Sequence, residues 1–285
     1  MNPYLRYVSD LARLVREGRS LPLGGFEPPA APPVAADAPC ALIFSPHPDD
    51  ECIIGGLALR LMREAGMRVV NVAVTQGSNK VRQPARLAEL QAACRYLGFD
   101  LVQTAPNGLE QISVKGRTAD PAQWQASVEV IARILAERQP SVIFFPHDAD
   151  WNSTHVGTHH LVNDALRRQK GDFTTYVVET EFWGAMATPN LMVESSEEDL
   201  GRMMAALSLH VGEVQRNPYH LLVPPWMQDN VRRGAELVGG QGGAAPDFIF
   251  CTLYRFGRWS DGQLRPTYPG GRSLPAHTGA ATLFA

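Results

Sequence analysis

The segment at residues 41–56, which reads ALIFSPHPDDECIIGG, constrains the fold of this chain more than any other. An apolar run typical of a buried strand ends there in a turn that crowds one imidazole and three carboxylates into five positions. Carboxylates this close repel one another unless a cation, a shared proton or solvent relieves the repulsion. The segment therefore predicts a strand end that holds a metal cation. The side chains concerned are His47, Asp49, Asp50 and Glu51.

Candidate strands and helices alternate along the chain after this point. Alternation at this spacing predicts an α/β fold with a mostly parallel, doubly wound sheet and helices on both faces. In such a sheet, sites form beyond the carboxyl ends of the strands, where the polar clusters of this chain lie. The predicted strands are 41–45, 69–75, 101–104 and 141–145, and the predicted helices are 53–65, 84–97, 122–138 and the helix that carries His155 and His159.

The two ends of the chain lie outside this alternating pattern. Apolar residues at helical spacing predict an amphipathic helix over 4–17 that lies on the domain. Residues 21–39 are rich in Pro, Ala and Gly and predict an extended connector. Residues 1–39 are therefore interpreted as a helix and connector, and residues 40–285 as one domain. Its C-terminal elaboration begins at about residue 171, with a strand near 176–180, a helix over 197–209 and a late strand over 248–256, interrupted at Asn217-Pro218 and Pro224-Pro225.

The composition excludes several classes of function. The net charge of -3 and the pI near 6.2 give no electrostatic footprint for nucleic acid, so no nucleic-acid partner is expected. The four cysteines are scattered, without a C-x-x-C pair, which indicates reduced thiols in a cytoplasmic protein. No long uninterrupted apolar span is present, so neither secretion nor membrane insertion is predicted.

The acidic turn offers ligands for a divalent metal. An imidazole nitrogen and a carboxylate suit zinc, and a third ligand from a neighbouring strand end would leave a position open. The only other concentration of imidazoles follows the strand at 141–145, and it comprises His147, His155, His159 and His160. His155 and His159 share one helix face, and spacing does not choose between them. The alternative interpretation is that the aspartates cap a helix and the histidines belong to the core.

Several motifs in order resemble the LmbE-like, or PIG-L, deacetylases over roughly residues 41–170. They are S-P-H-P-D-D-E followed by C-I-I-G-G, then V-A-V-T-Q-G, R-L-A-E-L from Arg86, and a strand-end segment that finishes in H-V-G-T-H. The resemblance implies a Rossmann-like fold, one catalytic zinc and hydrolysis of an N-acyl group, usually acetyl, from an amino sugar or related amine. It also implies that zinc is bound by His47, Asp50 and His155.

The same resemblance assigns roles around the metal. It makes Asp49 the general base, which takes a proton from the attacking water and returns it to the leaving amine. Glu51 is interpreted as a support of the turn. Arg86 corresponds to a substrate-binding arginine, and its alternative role is a salt bridge with Glu89 or Glu110.

Two departures from the family pattern affect these expectations. Relatives commonly have His and Asp where this chain has Asn152 and Thr154. Asn152 offers an amide donor but cannot titrate, so Asp49 would carry more of the acid work, or His210 would enter from the C-terminal region. Asn107 replaces the Asp of a P-D-G turn, which predicts altered sugar contacts. Residues 210–220 suit hydroxyl recognition, or alternatively form a solvated helix end.

The sequence thus predicts a zinc-dependent hydrolase that removes an N-acetyl group from a small N-acetylglucosamine-like amino sugar or glycoconjugate. The sequence does not decide whether zinc, iron or cobalt is the native metal. It also leaves the assembly state open and is compatible with a homo-oligomer. One alternative is a zinc amidase that acts on a larger acyl group or a thiol-conjugate amide. Others are a metal-binding protein without catalysis and a nucleotide-binding module, although no G-x-G-x-x-G motif precedes the helix and the acidic turn would repel a pyrophosphate.

Overall fold

The computed structural model describes residues 2–30, 32–35 and 37–285. The α-helices are α1 (Tyr4–Gly18), α2 (Leu57–Ala65), α3 (Gln83–Leu97), α4 (Val114–Ala119), α5 (Pro121–Arg138), α6 (Ser153–Leu166), α7 (Glu197–Ser208), α8 (Val211–Val214) and α9 (Val223–Leu237). The strands are β1 (Cys40–Ser45), β2 (Arg68–Ala73), β3 (Asp100–Gln103), β4 (Val142–Pro146), β5 (Thr175–Thr180), β6 (Leu191–Glu194), β7 (Cys251–Ser260), β8 (Gln263–Pro266) and β9 (Arg272–Leu274). Short 3-10 helices are formed by Asp50–Cys52, Tyr219–Leu222 and Ala280–Phe284.

The described strands form one mixed sheet in the order β3-β2-β1-β4-β5-β7-β6-β9, with β8 paired to β7. The strands from β3 to β5 in this order are all parallel, and β7 runs antiparallel to β5. This confirms the predicted α/β fold with a mostly parallel sheet. The antiparallel part comes from the C-terminal strands.

Strand β1 lies at the centre, and its side chains alternate between two apolar cores. Ile43 packs on the side of the sheet covered by α2, α3 and α7, whereas Leu42 packs on the side covered by α5 and α6. A strand covered by helices on both faces has to be apolar at every position, which explains why β1 reads as a continuous apolar run. The helices on both faces thus agree with the doubly wound, Rossmann-like prediction.

The strand order also fixes where a site can form. From β1 the chain winds outward to β2 and β3, and it then returns to place β4 on the opposite side of β1. The connections that leave β1 and β4 therefore diverge, and a crevice opens beyond the carboxyl ends of these two strands. The polar turns that follow Ser45 and Pro146 both lie at this crevice.

Most predicted elements lie within a few residues of their observed bounds, with two instructive exceptions. Helix α2 begins at Leu57 rather than at residue 53, because the 3-10 turn Asp50–Cys52 comes first and Gly55 has a φ of 86°. Pro224 and Pro225 do not interrupt the chain but form the first turn of α9, where proline lacks only a hydrogen bond that the helix would not make.

Helix α1 forms as predicted, but the prediction that it lies on the domain is wrong. Its apolar side chains face outward, and Leu5 and Leu14 are 65% and 57% exposed. Only Gly18 at its end is buried, close to the side chain of Leu221. In the part of the chain that the structure describes, no helix combines the length and apolar character needed to cross a membrane. The four cysteines are all unpaired, as expected.

Candidate metal centre

The turn after β1 has an unusual backbone held by its own side chains. Asp49 has a φ of 117°, a conformation that residues with a side chain rarely adopt and that costs about 1–3 kcal/mol. The N–H group of Asp49 donates to Glu51 Oε2 at 3.0 Å, and the N–H group of His47 donates to Asp50 Oδ2 at 2.8 Å. These bonds fix the turn in the form that brings its carboxylates to the crevice.

Three of the predicted site residues meet beyond the ends of β1 and β4. His47 Nδ1 and His155 Nε2 lie 3.2 Å apart, and Asp50 Oδ2 lies 3.4 Å from each of these nitrogens. A tetrahedral zinc with bonds of about 2.0–2.1 Å separates its ligand atoms by about 3.3–3.4 Å, so the triangle has the size that zinc requires. The donor set, two imidazole nitrogens and one carboxylate oxygen, is also one that zinc accepts. The residues therefore fit a metal ion.

The charges around the triangle are consistent with this use. Burial favours the neutral form of Asp50, but His155 and His47 outweigh burial and hold the pKa of this carboxyl below its ordinary value. Burial lowers the pKa of His155, whereas Asp50 and Asp150 outweigh it and raise this pKa to about 10. The site thus favours positive charge between its carboxylates, and a bound metal cation would supply that charge in place of the imidazole proton.

Asp150, which the sequence interpretation overlooked, supports His155 from behind. Its Oδ1 lies 3.6 Å from Nδ1 of His155, the ring nitrogen that faces away from the triangle. Asp150 also accepts backbone hydrogen bonds from Trp183 and Gly184, at 3.0 and 3.1 Å. Carboxylates placed in this way orient metal-binding imidazoles. A signal was present, because Asp150 follows β4 just as the acidic turn follows β1.

Asp49 is held by groups from distant parts of the chain. The hydroxyl group of Tyr219 donates to Asp49 Oδ2 at 2.5 Å, and a guanidinium nitrogen of Arg86 lies 3.7 Å from the same oxygen. Burial and the neighbouring Asp50 raise the pKa of Asp49 to about 7, although His210, Arg86 and Tyr219 act in the opposite direction. A carboxyl group with a pKa near neutrality can both accept and return a proton.

Glu51 and His210 form a buried support beneath this carboxylate. Nε2 of His210 lies 2.7 Å from Glu51 Oε1, and the other carboxylate oxygen of Glu51 accepts from the backbone of Asp49. His210 is completely buried. The structure therefore places His210 behind the turn, in contact with Glu51. The interpretation of Glu51 as a support of the turn agrees with these contacts.

Arg86 lies between the carboxylates and an open cavity. Its guanidinium donates to the carbonyl of Pro48 at 2.9 Å, and its Nε lies 3.6 Å from Glu213. These contacts take the place of the salt bridge with Glu89 or Glu110 that was the alternative role of Arg86. Glu89 instead accepts from the backbone of Gly212. Residues 210–220 thus supply Tyr219 and Glu213 to this network. They do not form the solvated helix end of the alternative interpretation.

The remaining candidates are not part of the triangle. Asn152 caps α6 by accepting from the backbone of Thr154 at 2.9 Å. His159 faces the carbonyl of Pro146 and the carboxylate of Glu179, at 3.0 and 3.2 Å. Asn107 lies in an exposed turn outside the cavity lining described next.

A polar cavity of about 370 Å³ opens beside His47. The His47 side chain is 20% exposed, whereas those of Asp50 and His155 are almost fully buried, so the triangle is accessible from this side. The cavity is rich in hydroxyl, amide and charged groups, which suits a hydroxylated ligand. Its lining comprises His47, Thr75, Gly77, Ser78, Lys80, Gln83, Arg86, Leu109, Glu110, Gln111, Ile112, Ser113 and Thr154.

Comparison with protein families finds one match. Residues 42–166 match the PIG-L family model, described as GlcNAc-PI de-N-acetylase. The matched segment contains the turn after β1, the strand β4 and His155, and thus every residue of the triangle. No curated protein matches the chain.

Comparison with solved structures finds the same fold in several proteins. The N,N'-diacetylchitobiose deacetylase from Pyrococcus horikoshii is 15% identical with a TM-score of 0.57, over 90% of this chain and 93% of that one. A deacetylase of the teicoplanin biosynthesis pathway is 16% identical with a TM-score of 0.54, over 78% and 99%. The 4-carboxy-2-hydroxymuconate hydratase GalB from Pseudomonas putida KT2440 is 18% identical with a TM-score of 0.55, over 76% and 95%. These likenesses show the fold, and because one of the proteins is a hydratase, the fold alone does not fix the reaction.

Proposed function

We propose that the protein is a zinc-dependent hydrolase that removes the N-acetyl group from an N-acetylglucosamine-like amino sugar or glycoconjugate, because residues 42–166 match the PIG-L family model, described as GlcNAc-PI de-N-acetylase. The observation that carries this proposal is the triangle of His47, Asp50 and His155, with its ligand atoms 3.2–3.4 Å apart. A titratable carboxylate, that of Asp49, stands next to it in the chain. A structural zinc site is closed by four protein ligands, whereas three ligands leave a position for substrate or water.

In this proposal, His47, Asp50 and His155 hold the zinc ion. When bound, zinc polarises the amide carbonyl and lowers the pKa of a water molecule. Asp49 accepts a proton from the attacking water and delivers it to the leaving nitrogen, a task for which a buried carboxylate next to a metal ligand is suited. Tyr219 holds the Asp49 carboxylate in place by its hydrogen bond.

The polar cavity is the proposed site of the sugar. Arg86 lines it and touches the turn, so its guanidinium can bind substrate hydroxyl groups while it stays near Asp49. Lys80, Glu110 and Gln111 also line this cavity and offer further donors and acceptors. The name of the N,N'-diacetylchitobiose deacetylase supports this choice, since that neighbour acts on an acetylated sugar within the same fold. Asn107 lies outside this lining, so we assign the sugar contacts to the cavity residues.

Acetate release from N-acetylglucosamine and N,N'-diacetylchitobiose tests the proposal. The zinc-loaded protein should release acetate from at least one of them, and the rate should fall with a chelator and return with zinc. Asp49→Asn should lower kcat by roughly 10²–10⁴-fold while the zinc content stays the same. Asp172→Asn, at an exposed aspartate outside the cavity lining, is the matched control. Full activity in Asp49→Asn would contradict the assignment of the base.

A further inference from the structure

A second cavity, of about 220 Å³, lies next to the metal centre and differs in character from the polar one. It is walled by aromatic and aliphatic side chains, which offer almost no hydrogen-bonding groups to a ligand. Leu222 and Trp183 at this cavity are 56% and 40% exposed, so apolar surface remains in contact with water there. The lining comprises Ile53, Phe182, Trp183, Tyr219, Leu222, Val223 and Trp226.

Two residues belong both to this apolar cavity and to the surroundings of the metal centre. The ring of Phe182 packs edge-on against His155, with the ring centroids 4.8 Å apart. Tyr219 lines the cavity with its ring and donates from its hydroxyl group to Asp49. The apolar cavity therefore adjoins a metal ligand and the proposed base, while the polar cavity adjoins them through His47 and Arg86.

The two cavities correspond to the two substituents of an amide. The nitrogen of the proposed substrate carries a polyhydroxylated sugar, which the polar cavity suits, and its carbonyl carbon carries the acyl substituent. We propose that the apolar cavity is an acyl subsite, and that the enzyme hydrolyses N-acyl amino sugars with a linear acyl chain longer than acetyl in preference to the acetyl compounds. This inference rests on the proposed function and extends it, because it names the acyl group that the site prefers.

The physical basis is the burial of methylene groups. Each methylene that leaves water for an apolar wall strengthens binding by about fourfold. An acetyl group has no methylene to place there, whereas a hexanoyl or octanoyl chain has several. Covering Leu222 and Trp183 also removes their own apolar surface from water, which adds to the preference.

A series of N-acyl glucosamines tests the subsite, with acetyl, butanoyl, hexanoyl and octanoyl groups. For the zinc-loaded protein, kcat/KM should rise at least tenfold from acetyl to hexanoyl. Leu222→Asn should cancel most of that rise and leave acetyl hydrolysis unchanged. Leu222 precedes the first residue of α9 and is more than half exposed, so this variant should fold. Leu237→Asn, at the other end of α9 and 43% exposed, is the matched control and should keep the full chain-length dependence.

Calorimetric titration of the zinc-loaded protein with octanoate and with acetate gives a second readout that does not require turnover. Octanoate should bind at least tenfold more tightly than acetate, and Leu222→Asn should remove the difference. If acetyl compounds are hydrolysed and neither assay shows a chain-length dependence, the acyl subsite is refuted while the proposed function stands. If no amide is hydrolysed, the proposed function fails, and the titration alone decides whether the cavity binds an acyl chain. A rate that rises only with apolar aglycones at the sugar would also refute the acyl assignment.

Discussion

The turns after β1 and after β4 meet at the same crevice but build their parts of the metal centre differently. The β1 turn carries two ligand candidates, His47 and Asp50, within four residues, on a backbone strained at Asp49. The β4 turn carries one, His155, on a regular helix that begins two residues earlier at Ser153. The first turn is held by hydrogen bonds among its own residues, whereas His155 is aligned by α6 and faces Asp150.

This difference separates local from tertiary determinants of a site. Once the β1 turn forms, the positions of its ligands follow from adjacent residues. The ligand on α6 depends on the loop length and on the rotation of the helix, because successive turns move a side chain along the helix axis. Substitutions at the two turns should therefore have effects that differ in kind as well as in size.

The largest expected effect separates the two candidate histidines of α6. His155→Ala removes one corner of the triangle and should weaken zinc binding by more than the roughly 100-fold that loss of a supporting residue gives. His159→Ala is the matched control, since His159 contacts Pro146 and Glu179 instead, and it should bind zinc normally. Zinc content after dialysis measures both. Equal zinc loss in the two variants would contradict the structural assignment.

The same pair shows what could be predicted from the sequence. The ligands of the β1 turn followed from the crowding of His47 and Asp50, but helical spacing left His155 and His159 equivalent, and the family resemblance was needed to choose. The i,i+4 pair shares a face, yet one turn of helix separates the two residues by about 6 Å along the axis, so only one of them reaches the triangle. The direction of α6 relative to β1 decides which.

A second expected effect concerns Asp150, the carboxylate behind His155. Asp150→Asn keeps a hydrogen-bond acceptor for Trp183 and Gly184 but removes the charge that faces the imidazole. Zinc affinity, measured by competition with a chelator, should fall by about 10–100-fold, and kcat at saturating zinc should change less. Asp148→Asn, in the same loop, is the control. An unchanged affinity in Asp150→Asn would mean that α6 alone orients His155.

Long-range contacts are the part that no local pattern revealed. Tyr219 meets Asp49 across 170 positions in the chain, and its neighbours in sequence carry no motif that indicates this contact. The alternating strands and helices predicted the sheet from β1 to β5 because each element depends on its own periodicity. In the C-terminal part, β6 and α9 were missed, since the prolines at the start of α9 read as a break and β6 spans only four residues.

The smallest expected effect concerns Asn152 and tests whether its side chain serves as the N-cap of α6 or as an amide hydrogen-bond donor in catalysis. Asn152→Ala removes the acceptor that caps α6 and should lower the free energy of unfolding by about 1 kcal/mol, measured by denaturant titration. Asn152→Ser restores a capping oxygen without an amide group, so stability should recover in this variant. With zinc saturated, its kcat should stay within about threefold of the unaltered protein, because the cap is the contact that the side-chain oxygen makes. A loss of kcat of about 100-fold in stable Asn152→Ser would instead reveal the amide as a hydrogen-bond donor in catalysis, as the sequence predicted. The turn after β4 would then contribute a side chain directly to the reaction, as the turn after β1 does with Asp49. The two turns would differ only in how each positions its metal ligands.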